Sequence, residues 1–279
     1  MNLFVIRHYL PHLFNPFICW DISSSVGRSF HQRKKFVVFR NVVIIFWIKM
    51  SKIEENLKAI RSRIEKSAIK SGKRGEEIKL VAITKTVETE RINEAIRWGV
   101  NIIGENKVQE AEAKFNRITE KVEKHLVGHL QTNKAKKALE LFDLIQSVDS
   151  LHIAEEISKR ACQNGKVMDV LVEVNTSGEK TKFGVEPEEA LPLMEIISRF
   201  EDIRIRGLMT IGLFSDDPED TRPCFKKLKT LFEAIKHKNI PNVDLCYLSM
   251  GMTNDFEVAI EEGSNMVRIG TGIFGARSS

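Results

Sequence analysis

From residue 78 onward, short runs of aliphatic and β-branched residues alternate with longer amphipathic stretches. The runs read IKLVAIT, VNIIGE, KHLVGHL, LIQSVD, MDVLVEVN, RIRGLMTIG, DLCYLSM and MVRIGTGIF. Each has the length and composition of a buried strand, and most are separated by a segment of helical length. Thr132, Asp149 and Asn254 are candidate helix caps, and Pro187 and Pro218 fall near first-turn positions. Gly99, Gly165 and Gly263 stand where a helix end wants a left-handed residue.

Strands separated by helices imply parallel pairing, because parallel neighbours need a crossover. Eight such units after Met50 predict an α/β fold, a closed (β/α)8 TIM barrel, for which about 250 residues is typical. An open doubly wound sheet is the competitor, and it would carry a glycine-rich turn after its first strand. Here that turn reads TKTVETE, with no glycine, so the barrel is preferred. Ser51 and Glu54 form a capping-box pair, and Ile53, Leu57, Ile60, Ile64 and Ala68 follow at helical spacing. They predict an extra N-terminal helix over 51–71 ahead of the first strand.

Residues 1–49 are a different kind of sequence, rich in aromatics and without a sustained period. Their apolar run FVVFRNVVIIFWI is broken by Arg40 and too short to span a bilayer comfortably. Being poor in acids and containing Arg and Ser, the stretch superficially suits an organellar transit segment. The preferred reading is an unstructured or spurious extension ahead of a start at Met50, so 1–49 is set apart from a 50–279 domain. Charge divides in the same place. The net +5 arises because residues 1–49 hold seven Lys/Arg and one acid, while the rest is near neutral. No basic face argues for nucleic acid. The four cysteines are scattered without metal-ligand spacing and read as reduced thiols.

Candidate chemistry begins at Lys85, just where the first strand run ends, the position at which barrels carry their reactive groups. A rim lysine can simply extend its charge to water; an imine-forming lysine is the functional alternative. LSMGMTND (248–255) and VRIGTGIFG (267–275) place glycines and hydroxyls at the ends of strands seven and eight. Those loops are the usual phosphate site of this fold. A lysine on strand one opposite such a cradle describes a phosphorylated aldehyde, pyridoxal 5′-phosphate (PLP), held as a Schiff base.

From Met50 to the C-terminus the chain resembles the pyridoxal phosphate homeostasis protein family, single-domain barrels similar to the N-terminal domain of alanine racemase. LVAITKT, IIGENKVQE, HLVGHLQTNK, GLMTIG, LSMGMTNDF and VRIGTGIFG carry the resemblance, in order along the whole core. Thr84 stands where the family commonly has serine, and Lys124 and Leu126 replace aromatics around the histidine. The resemblance implies Lys85 as the Schiff-base lysine, Asn106 beside the cofactor, and Met209 and Met250 lining the ring pocket. It also implies Ser249, Gly270 and Thr271 at the phosphate and Arg268 facing the pyridine nitrogen. Asn106 could instead cap a helix, and the methionines could be core filler. A monomer and a cytoplasmic location are expected, organellar only if 1–49 is a transit segment. Apo forms of PLP-dependent enzymes are the expected transient partners.

Arg268 bears on the chemistry. Guanidinium donates and has no acceptor, so the ring would stay unprotonated and a carbanion would be poorly stabilised. Racemisation also needs acid/base groups on both faces of the α-carbon. Tyr247, two residues before Ser249, is a weak candidate for the second. A PLP carrier without robust catalysis is therefore preferred over an amino-acid racemase or a class I aldolase. HLVGH (125–129) is dismissed as a metal pair, because in a strand its histidines would lie about 13 Å apart. Lys134, in a lysine run, is read as a solvated helix residue or a secondary phosphate contact.

Overall fold

The computed structural model describes residues 50–276 in full and, before them, the backbone of four strands. These are β1 (Phe4–Ile6), β2 (Cys19–Asp21), β3 (Gln32–Phe39) and β4 (Val42–Lys49), paired antiparallel in the order β1-β4-β3-β2. The stretch read as an unstructured extension thus contains strand backbone. β4 is VVIIFWIK and its partner β3 ends in FVVF, residues whose branched and aromatic side chains favour extended backbone. The chain separates into two units, Met1–Glu55 and Asn56–Ser279.

Helix α1 (Lys52–Lys70) begins as its cap predicts, with the Glu54 backbone N–H donating to Ser51 Oγ at 3.2 Å. Eight parallel strands follow: β5 (Lys79–Ile83), β6 (Ile102–Glu105), β7 (Glu123–Leu126), β8 (Leu144–Val148), β9 (Met168–Glu173), β10 (Ile203–Met209), β11 (Val243–Ser249) and β12 (Met266–Ile269). They close into a barrel, β12 pairing with β5 and β9 with β10. Between them run α2 (Thr89–Arg97), α3 (Val108–Phe115), α4 (Ala135–Leu141), α5 (Leu151–Gln163), α6 (Pro187–Ile197), α7 (Arg222–Lys236) and α8 (Phe256–Glu261). The predicted glycines Gly99, Gly165 and Gly263 all have positive φ. The caps are displaced by one residue: Gln131, Ser150 and Asp255 precede the helical turns where Thr132, Asp149 and Asn254 were expected. The last run also divides. β12 stops at Ile269, and TGIF forms a one-turn helix, α9 (Thr271–Phe274).

Side-chain alternation sorts each strand into an inner and an outer face. Val81, Ile83, Ile102, Val127, Leu144, Leu171, Met209 and Met266 form one apolar cluster. Because these residues come from seven of the eight strands or the residue just past one, with Tyr247 of β11 packed against them, they mark the barrel interior. The seam between β11 and β12 is the thinnest part of the ring, with one register pair, Ser249 with Met266. Side chains reinforce it. Ser264 Oγ lies 3.1, 2.9 and 3.0 Å from the carbonyls of Leu248, Met250 and Met266, and the Leu248 N–H donates to Asn265 Oδ1 at 2.8 Å.

Candidate functional site

Val81 and Ile83 point inward from β5, so the same alternation carries Lys85 to the inner rim at the carboxyl end of the barrel. The backbone turns immediately afterwards through Thr86, whose φ of 61° is left-handed and costly for a β-branched residue. A buried cluster on the outer side of the sheet holds both neighbours of Lys85. Thr84 Oγ1 donates to Glu105 Oε1 at 2.7 Å, and the Thr86 N–H donates to Glu110 Oε1 at 2.5 Å. Lys114 Nζ ties these together, donating to Glu105 Oε1 (3.1 Å), Glu110 Oε1 (2.5 Å) and the Thr84 carbonyl (2.7 Å). Burial raises the Glu105 carboxyl above its ordinary pKa, opposed by the Thr84 hydrogen bond and the charge of Lys114. Sequence reasoning missed this cluster. Its one visible signal was the Glu110–Lys114 pair, four residues apart on α3.

Lys85 opens into a cleft whose walls include Ile83, Arg91, Gly270, Thr271 and Phe274. A Cβ on Gly270 would stand 3.3 Å from Ile83 Cβ and from its carbonyl oxygen. Glycine therefore lets the end of β12 pass close beside the end of β5, which brings the lysine and the GTG turn together. Thr271 Oγ1 lies 3.2 Å from Thr253 Oγ1, so the loops after β11 and β12 meet through hydroxyls. Arg91 was not anticipated. Its guanidinium donates to the Phe274 carbonyl and adds a positive charge to the cleft wall.

One pleat deeper than Gly270, Arg268 points inward from β12. It is 4% exposed, and it donates from Nη1 to Ser249 Oγ (2.7 Å) and from Nη2 to the Thr210 carbonyl (2.7 Å), both neutral acceptors. Burial lowers its pKa to about 10, opposed by the charges of Glu173 and Asp255. Glu173 occupies the inner face of β9, in register with Met209. Burial first and the charge of Asp149 second raise its pKa to about 7, with Arg268 opposing.

The expected site residues thus fall into groups. Lys85, Gly270 and Thr271 share the cleft. Ser249 and Arg268 are joined deeper in the barrel, with the Ser249 hydroxyl donating to Gln146 Oε1 at 2.7 Å. Met209 belongs to the interior cluster, and Met250, which follows Ser249 directly, is fully buried as well. Asn106 is half-buried just past β6 and is not among the walls of the Lys85 cleft. A Cβ on Gly128 would come within 2.4 Å of its carbonyl oxygen. Lys134 ends a short 3-10 turn leading into α4, outside the cleft. In HLVGH the strand ends at Leu126, so only His125 lies in it. His125 bonds to Glu123 and Gln146, and His129 to Asp149. Among the described residues no cluster of metal-ligating side chains occurs.

The family model for the N-terminal domain of alanine racemase matches residues 48–278. A protein of Aquifex aeolicus named pyridoxal phosphate homeostasis protein is 44% identical over 224 residues, 80% of this chain and 97% of the relative. Its namesake in Vibrio alginolyticus is 40% identical over 233 residues, covering 82% and 99%. Among solved structures, one described as an unknown protein from Bifidobacterium adolescentis superposes with a TM-score of 0.77 at 38% identity, covering 80% of this chain and 94% of that one. PipY of Synechococcus elongatus, solved with PLP bound, gives 0.70 at 32% identity, covering 80% and 100%. An alanine racemase of Clostridium difficile matches at 16% identity and a TM-score of 0.64, a likeness of fold alone. With the barrel, the lysine at its rim and relatives aligned over nearly their whole length, the chain belongs to the pyridoxal phosphate homeostasis protein family.

Proposed function

We propose that this chain binds PLP as a Schiff base on Lys85 and serves in its homeostasis and delivery, without robust catalysis of its own. The observation that carries the reading is the shared cleft, in which Lys85 faces Gly270 and Thr271 across the joint between β5 and β12. The residues present suit the cofactor. Arg268 is a buried cation whose hydrogen bonds go only to neutral groups, which leaves guanidinium donors for a further acceptor. When bound, PLP supplies an aldehyde for the lysine amine and an electron-poor ring.

The chain's own residues do the rest. Lys85 offers Nζ. Gly270 and Thr271 offer backbone N–H groups and a hydroxyl to the phosphate, and Arg91 adds positive charge on the same wall. Arg268 donates toward the pyridine nitrogen and, having no acceptor, gives the ring no protonating carboxylate. Met209 supplies apolar surface inside the mouth. Ser249, whose hydroxyl is already engaged by Gln146 and Arg268, serves the arginine more directly than the phosphate. Asn106 and Met250 complete the set that the family resemblance assigns to the cofactor's surroundings.

A monomer, transient contact with apo forms of PLP-dependent enzymes, and a cytoplasmic location complete the proposal. Among the described residues no helix is long and apolar enough to cross a membrane.

The test is to incubate the purified chain with PLP, reduce with borohydride, and map the labelled peptide by mass spectrometry. Label on Lys85, lost in Lys85→Ala, is expected; undiminished label in that variant sinks the assignment. A racemase would in addition exchange the α-proton of an amino acid for deuterium. A class I aldolase would be trapped without PLP, by a keto or aldehyde substrate.

A further inference from the structure

Between β7 and β12 the barrel interior holds a continuous row of polar side chains. His125 Nε2 lies 2.8 Å from Glu123 Oε1, and His125 Nδ1 lies 2.8 Å from Gln146 Nε2. Gln146 Oε1 accepts from Ser249 Oγ at 2.7 Å, and Ser249 Oγ accepts from Arg268 Nη1 at 2.7 Å. The four residues inside the barrel come from β7, β8, β11 and β12, so the row crosses the ring instead of following one wall. His125, Gln146 and Ser249 are fully buried, and only Glu123 reaches solvent.

The bonds between the two ends run in one consistent direction. The Gln146 amide nitrogen faces Nδ1, so Nδ1 accepts from it and Nε2 carries the hydrogen that meets the Glu123 carboxylate. The other amide hydrogen of Gln146 is directed at Met266 Sδ, 3.3 Å away. The amide oxygen then faces Ser249 and takes its hydroxyl proton. At the far end a guanidinium only donates, so Ser249 meets Arg268 with a lone pair. Donors and acceptors interlock without conflict from Glu123 to Arg268, and turning the amide over would set its oxygen against the Nδ1 lone pair.

We propose that Gln146 and His125 are positioning residues for Arg268: they hold the Ser249 lone pair toward Nη1 and so fix the direction in which the guanidinium presents its remaining donors. The inference rests on the reading that Arg268 faces the cofactor. Gln146 acts through two intermediaries and touches no ligand. Its loss removes the acceptor of the Ser249 proton, so the hydroxyl is no longer held in one orientation and the direction of the Nη1 bond is no longer fixed.

The test uses the full chain. The dissociation constant for PLP is measured by visible absorbance for the unaltered protein, Gln146→Leu, Arg268→Met and the double variant, with Lys85 labelling at saturation as a control. Gln146→Leu should weaken PLP by about tenfold, the cost of one misdirected buried hydrogen bond, while Lys85 still labels fully. In the Arg268→Met background the same change should alter affinity less than about twofold, because linked residues are non-additive. Equal losses in both backgrounds would reduce Gln146 to ordinary packing and overturn the inference, leaving the functional reading intact. Failure of the unaltered chain to take up PLP would overturn both. If Gln146→Leu does not fold, nitrogen NMR of His125 in the unloaded, unaltered protein decides. A hydrogen on Nε2 and none on Nδ1 is expected, and a hydrogen on Nδ1, in the other tautomer or in the imidazolium, would overturn the proposal.

Discussion

Glu173 is a carboxyl group placed where a charge is expensive. It lies on the inner face of β9, is 4% exposed, and has its pKa raised from 4.5 to about 7. A carboxyl whose folded pKa exceeds its unfolded value contributes stability that is fully present below about pH 4.5 and is lost as pH rises through about 7. The displacement corresponds to about 3 kcal/mol. Glu173→Gln should therefore unfold with little difference from the parent near pH 4.5 and be more stable by about 2–3 kcal/mol at pH 8. Urea denaturation at the two pH values measures this; an equal difference at both would mean that the carboxyl is not the source. At this scale the sequence was partly legible. Lys85, Gly270 and Thr271 could be read because each stands where a strand run ends, and strand ends are visible in the pattern of one segment. Gln146 and Glu105 could not, because a polar residue within a strand takes its meaning from strands distant in sequence: Gln146 from β7 and β11, Glu105 from Thr84 just past β5. The partners of the Ser249 hydroxyl, Gln146 on β8 and Arg268 on β12, are hidden from the sequence for the same reason.

At the level of elements, the join between β5 and α2 shows how local strain is held by a neighbouring helix. Thr86 takes a left-handed turn, and α3 supplies Glu110 to its N–H and Lys114 to the Thr84 carbonyl. Lys114 is also the counter-charge of Glu105, which is fully buried and has one oxygen without a protein partner. Lys114→Met should leave that carboxylate uncompensated and destabilise the fold by about 3 kcal/mol at pH 7, measured by urea unfolding. Adding Glu105→Gln should recover a substantial part of the loss; no recovery would show that the cost lies elsewhere. Element order and type were legible from periodicity, whereas boundaries were not. Three helix starts differ by one residue because Gln131, Ser150 and Asp255, each beside an equally plausible polar residue, take the capping position. The end of β12 was obscured because IGTGIF reads as extended by composition, while the geometry at Gly270 starts a helical turn.

On the scale of the whole molecule, the barrel closes from residues of the second unit alone, since β5 through β12 all lie within Asn56–Ser279. The helix that precedes them begins at Lys52 under the Ser51 cap. A chain starting at Met50 keeps that cap, so it should unfold cooperatively and label Lys85 with PLP as fully as the full-length protein. Calorimetry and borohydride trapping together check this; loss of either would assign residues 1–49 a part in the barrel's integrity. The barrel was legible because eight strand-helix alternations leave few ways to pair. The strand backbone within 1–49 was not, since those residues show no alternation to separate one face from the other.

The thin seam between β11 and β12 carries one consequence more. Ser249 and Arg268 flank it, and the loops leaving its two strands are those that meet at Thr253 and Thr271. A cylinder fastened unevenly yields first along its lightest stitching, so thermal breathing should concentrate there. An anion grasped by both loops at once would act as an added rivet across that line, and the grip on the guest and the tightness of the vessel would rise and fall together.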